Sequence, residues 1–128
     1  MSIRKGQATV EMTLLLPLLC LLLFGTLDLA RYAKTQTELN NAAHVGVMKA
    51  TNTLDPQGTP ISIPTVVAAV RTAYPAATVT VIPGSGNVPP DSTVTVQVST
   101  SFKPTTPFVR NMLNIKKITG SSAGHTLK

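Results

Sequence analysis

The chain has 128 residues and a net charge of +6, but only 12% of it is charged while 43% is hydrophobic. The basic residues are scattered in runs no longer than two, and the aromatics number two Tyr, three Phe and no Trp, which excludes a clustered, stacking nucleic-acid surface. A single cysteine, Cys20, excludes an intrachain disulfide and a thiolate metal cluster, and reads as a small apolar packing residue.

The first element is a basic leader, Met1-Ser2-Ile3-Arg4-Lys5-Gly6, that runs directly into an apolar stretch. Glu11 stands near the start of that stretch, where an ionisable side chain at the edge of a membrane segment is costly and calls for a partner. Met12 to Ala30 contains ten Leu and is close to the ~20 residues that cross a bilayer core. A cleaved secretory signal would be shorter and end in a small-residue site, whereas Asp28-Leu29-Ala30-Arg31 follows Leu27 here. A lipoprotein signal would place a small residue before the modified cysteine, and Leu19 precedes Cys20. The pattern predicts a retained single-pass anchor with a short clipped leader. Arg4 and Lys5 on one side nearly balance Arg31 and Lys34 on the other, and the free amino terminus tips the orientation toward a cytoplasmic N-terminus.

Pro17 lies inside the apolar stretch. It would cost about 3 kcal/mol in a soluble helix, but membrane helices tolerate it better. Asp28 and Arg31 stand three apart, share a helix face and read as an interfacial pair that ends the hydrophobic span. Leu29, Tyr32, Gln36, Leu39, Ala43, Val47 and Ala50 then recur at three- and four-residue steps, which predicts that the helix continues beyond the membrane. A helix from Gln7 to about Thr51 would be roughly 70 Å long at 1.5 Å per residue.

Thr51 to Pro64 reads as a loop, Thr65 to Tyr74 as a short helix stopped by Pro75, and Thr78 to Ile82 as a strand of period two. After a loop rich in Pro and Gly, Thr93 to Ser99 alternates cleanly, with Val94, Val96 and Val98 on one face. These two runs form the expected antiparallel pair. Pro104 to Leu113 is a loop or short helical excursion. Ile115 to Leu127 is a third strand of small residues that needs a neighbour to pack against. The expected fold class is therefore α+β: a long N-terminal helix, transmembrane then amphipathic, a short second helix, and a small antiparallel sheet of about three strands. The segments divide as a leader over 1–6, a membrane part over 7–30, an extramembrane helical part over 31–52 and a small α+β head over 53–128. The lower half of the long helix and the short helix are the available covers for the sheet.

No catalytic, cofactor-binding or metal-ligating constellation emerges. His44 and His125 are far apart in sequence with no Cys or paired carboxylate at ligand spacing. The five acids include Glu11 and Asp28 at the apolar segment, which leaves little for acid–base work. Gly84-Ser85-Gly86 joins two strands and opens no helix, so it is no phosphate loop. The expectation is a non-enzyme without a cofactor.

Four groups of residues, Gly6-Gln7-Ala8-Thr9-Val10-Glu11-Met12, Leu16-Pro17-Leu18-Leu19, Leu22-Leu23-Phe24-Gly25 and Asp28-Leu29-Ala30-Arg31, resemble the N-terminus of TadE-like proteins. Asn41-Ala42-Ala43-His44-Val45-Gly46 resembles the helix of the same family, and the C-terminal small-residue strand resembles it more loosely. These are the minor pilins or pseudopilins of bacterial tight-adherence (Tad/Flp) pilus systems. The resemblance implies that a prepilin peptidase cuts after Gly6 and leaves Gln7 as the new N-terminus. It implies that Glu11, five residues into the mature chain, pairs with the free amine of a neighbouring subunit during assembly. Its implied partners are the peptidase, other pilins or pseudopilins and an inner-membrane assembly platform. Its implied location is the bacterial inner membrane with a periplasmic head, or an extracellular pilus. Major pilins of the system often carry an aromatic after the acid, where this chain has Met12, and they are much shorter, so a minor subunit is implied. Two other readings stay open: a membrane-anchored periplasmic binding module, and a pseudopilin of a type II secretion machine.

Overall fold

The computed structural model describes residues 3–51, 62–84, 86–88, 91–106, 109–111 and 116–126. In chain order the elements are α1 (Ile3–Thr51), α2 (Ile63–Ala73), β1 (Thr78–Ile82), β2 (Thr93–Ser101) and β3 (Lys117–His125). The expected α+β class, with a long N-terminal apolar helix, a short second helix and three antiparallel strands, is the observed one. Most of the expected loop after Thr51, Ser85 of the Gly-Ser-Gly stretch, and Pro107, Phe108, Met112 and Leu113 lie outside the described residues.

The chain divides into two compact units. One comprises Met1–Tyr32 with Lys103–Ile115, and the other comprises Ala33–Phe102 with Lys116–Lys128. The segment after β2 thus groups with the first part of α1 and not with the sheet.

In the second unit the strands form a meander in the order β1-β2-β3, antiparallel throughout. Val94, Val96 and Val98 are fully buried, as the alternation of Thr93 to Ser99 predicts. The register sets Val79 and Gly120 on either side of Val98, Val81 and Ser122 on either side of Val96, and Gly124 opposite Val94. Valines therefore line two strands of the core face, while the third carries Ile118 at its start and then only the small residues Gly120, Ser122 and Gly124.

That asymmetry has a cause in α1. A Cβ on Gly120 would lie 2.6 Å from the Leu39 carbonyl carbon and 2.7 Å from the Asn40 amide nitrogen, so helix backbone meets strand backbone there. The neighbour that β3 needs is thus the helix itself, and Gln36 Nε2 fastens the contact by donating to the Thr119 carbonyl at 3.0 Å. Leu39, Ala42, Ala43, Val47 and Ala50 form the buried stripe of α1. Gly46 lies in the same stripe, where a Cβ would meet Val70 of α2 at 2.6 Å and Val96 of β2 at 3.0 Å. Ala42 and Gly46 extend the stripe read from sequence, whereas Leu29 is 67% exposed and falls outside it. Small residues are required because a helix carrying bulky ones would stand too far from the sheet for this direct contact.

Helix α2 starts at Ile63 and takes Pro64 into its first turn, two residues before the expected start. Proline is tolerated there because the first-turn amides have no intrahelical partner to lose. Val66 and Val70 are buried one turn apart, and the Tyr74 amide donates to the Val70 carbonyl at 2.8 Å before Pro75 ends the helix. At the far end of the sheet, Thr126 N–H donates to the Ser92 carbonyl at 2.9 Å and Ser92 N–H donates to Thr126 Oγ1 at 2.8 Å. This reciprocal pair closes the β2–β3 ladder just beyond His125.

Gly120→Ala is expected to lower stability by about 1–3 kcal/mol, because backbone on both sides of the new methyl group resists displacement. Gly84→Ala, whose Cβ would meet only the Val81 carbonyl at an ordinary 3.6 Å, serves as the control. Thermal and urea unfolding of the full chain in detergent, followed by the sheet's circular dichroism, measures both.

Candidate functional site

The residues singled out by the sequence sit at the two ends of the apolar part of α1. At the N-terminal end, Gly6 is exposed, with open space where a side chain would stand. Gln7 and Glu11 are one helical turn apart, and Gln7 Nε2 donates to Glu11 Oε1 at 3.3 Å. Both are exposed, so the carboxylate has room for a further partner. The first turn of α1 holds no acid, and the leader's cations Arg4 and Lys5 stand at the start of the helix.

Between the ends, every residue from Gly6 to Phe24 is exposed, including Leu14, Leu16, Leu19 and Leu22. The helix is assigned without a break through Pro17. The hydroxyls of Thr13 and Thr26 donate to carbonyls of the preceding turn at 2.8 Å and 2.9 Å and so are satisfied within the helix. Cys20 is exposed in the same run. A helix that is apolar on all sides and exposed all round has a surface made for lipid or for other apolar helices, not for water. By length and composition α1 is able to cross a membrane.

At the other end, Asp28 is only 3% exposed although it follows this run directly. Its Oδ1 accepts from the Thr105 amide at 3.1 Å and its Oδ2 from the Thr106 amide at 2.8 Å. Arg31 reaches the same place: its Nη1 donates to Thr105 Oγ1 at 2.6 Å. Asp28 and Arg31 therefore converge on one loop, as their shared helix face allows, and the acid's partners are the Thr105 and Thr106 amides together with the Thr106 hydroxyl. Two charge-assisted bonds satisfy both carboxylate oxygens, which is what permits a buried acid here. The Arg110 amide then donates to the Thr106 carbonyl at 3.1 Å and starts a helical turn over 109–111. Thr105 and Thr106 escape a reading of the sequence, since neither belongs to a motif and both are more than seventy residues from Asp28. The one available signal is the run Pro104-Thr105-Thr106-Pro107, where prolines flank two amides.

The family model for TadE-like proteins matches residues 6–48, about a third of the chain. The N-terminal segment is therefore TadE-like, from Gly6 through the apolar run and well into the small-residue stripe. The match stops short of α2 and the sheet. No curated protein and no solved structure matches the chain.

Asp28→Ala is expected to release the 103–106 segment. Each hydrogen bond to a charged acceptor contributes about 1.5–3 kcal/mol, so the Thr105 and Thr106 amides should exchange about 10- to 100-fold faster. Hydrogen exchange read by mass spectrometry on the full chain checks this, and the amides of β2 should be unaffected.

Proposed function

We propose that this chain is a minor pilin or pseudopilin of a Tad/Flp-type pilus, clipped by a prepilin peptidase between Gly6 and Gln7. The observation that supports it is a coincidence of position. The TadE-like match begins at Gly6, inside α1, where the basic leader gives way to a stretch of helix that is largely apolar and exposed on all sides. The C-terminal part of the match lies on the stripe that packs against the sheet.

Cleavage after Gly6 would change the electrostatics of α1 in one direction. It removes Arg4 and Lys5 from the positive end of the helix dipole and leaves Glu11 close to the new start. The scissile bond lies within a helix, and the leader turn must unwind for a peptidase to reach it. The small, open Gly6 and the unsatisfied amides of a helix start favour that. The new ammonium of Gln7 and the Glu11 carboxylate of adjacent subunits would then pair within an apolar bundle, where each charge offsets the desolvation of the other. In this reading the apolar part of α1 is held in the bacterial inner membrane with its N-terminus cytoplasmic and the sheet periplasmic. It is then drawn by the assembly platform into or beneath a filament of other pilins. The role is structural, with no cofactor.

The N-terminal mass of the protein from membranes, with and without a prepilin peptidase, tests this reading. A product starting at Gln7 that is lost in Gly6→Phe supports it. A retained leader with the peptidase active overturns it, and a start beyond Leu27 would mean a secretory signal. In the processed protein, Glu11→Ala is expected to leave anchoring intact. Breaking a buried charge pair costs about 3–5 kcal/mol, so incorporation into filaments should fall by more than about 100-fold.

A further inference from the structure

We propose that the Asp28 clasp seats the 103–106 segment in the lipid headgroup layer at the end of the membrane span, so that Arg31, Lys103 and Arg110 bind the anionic phosphates of that surface. The proposal rests on the anchor part of the reading above and adds a second membrane contact, made by a segment far along the chain.

Three observations carry it. The first is depth. Asp28 is the residue immediately after Leu27, so the loop tied to its carboxylate stands at the level where the apolar surface ends. The second is the state of the backbone. Irregular backbone near the hydrocarbon is tolerated only when its polar groups are satisfied. Proline has no N–H, so Pro104-Thr105-Thr106-Pro107 has only two amide donors, and Asp28 accepts both. The acid and the loop therefore cancel each other's need for water, and Pro104 is itself buried. The third is charge. With the Asp28 carboxylate taken up by amides, the exposed ionic groups around the clasp are Arg31, Lys103 and Arg110, all cationic. Glu11 is 17 residues away at the opposite end of the span. A cationic rim at the headgroup level is attracted to an anionic leaflet, and salt screens that attraction. The occupant is therefore the surface of the same bilayer, whose position the helix already sets.

The test uses the full chain with Cys20→Ser, reconstituted in phosphatidylcholine vesicles with or without phosphatidylglycerol. An environment-sensitive fluorophore is placed on Leu22→Cys in one sample and on Asn111→Cys in another, and nitroxide lipids quench at headgroup or mid-chain depth. The expected result is mid-chain quenching at position 22 and headgroup quenching at position 111. The latter should be strongest with phosphatidylglycerol and should weaken in high salt. Asp28→Ala should abolish the quenching at 111 and leave that at 22. Because that variant disturbs the loop itself, the exposed double variant Lys103→Gln, Arg110→Gln, which touches none of the clasp's bonds, provides a second check: it should sharply weaken the dependence on phosphatidylglycerol. Quenching at 22 with none at 111 in either lipid overturns this inference alone. Shielding at 111 that requires an added protein partner does the same. Absence of quenching at 22 overturns the anchor reading and this inference with it.

Discussion

One continuous helix has to satisfy two different surroundings, and the remaining structure follows from that demand. From Gly6 through Phe24, α1 presents apolar side chains in every direction, and every residue of that run is exposed. From Leu39 to Ala50 the same helix buries a stripe of mostly small residues against a sheet. The hydrophobic effect drives both halves, but by different routes. The first half has to find lipid or other apolar helices, while the second finds its cover within the chain. A helix all Leu would aggregate at its second half, and one all Ala would not be held at its first.

The close fit of the second half explains the composition of the sheet. Where helix backbone approaches strand backbone at Gly120, the strand has no space for a side chain, and from there to Gly124 β3 holds only Gly, Ser and Ala, with Ile118 the one large side chain it buries. The valines of β2 and β1 supply the volume that β3 lacks. Gly46 performs the complementary task on the helix, admitting Val70 and Val96 from two other elements into one point of the core. A small core of this kind depends on contact quality more than on buried area, since few large side chains are available.

At the junction between the two halves the constraint is electrostatic. An acid directly after a run with nine leucines would be costly if it were left alone, and the chain resolves this with the two amides of a proline-flanked loop. Arg31 on the next turn holds the same loop through a hydroxyl. Glu11 at the opposite end has only the Gln7 amide and space around it, so the two acids of the apolar helix are in contrasting states. One is buried within its own chain, and the other is exposed.

Much of this was legible in the residues. The period-two alternation of Thr78 to Ile82 and of Thr93 to Ser99 determined both strands and which valines face inward, because only one face of a small sheet can be covered. The apolar run, the proline stop after Tyr74 and the recurrence of Leu39, Ala43, Val47 and Ala50 determined the helices and their faces, because those signals act within a few residues of chain. The residue groups between Gly6 and Gly46 carried the likeness that the family match over 6–48 supports. Only the tertiary structure decided that Asp28 is served by Thr105 and Thr106, that β3 lies directly on the helix, and that Leu29 stands outside the stripe it was read into. Those outcomes depend on which backbone groups meet across many tens of residues. Local patterns cannot encode such meetings, because an amide donor looks the same at every position in a sequence.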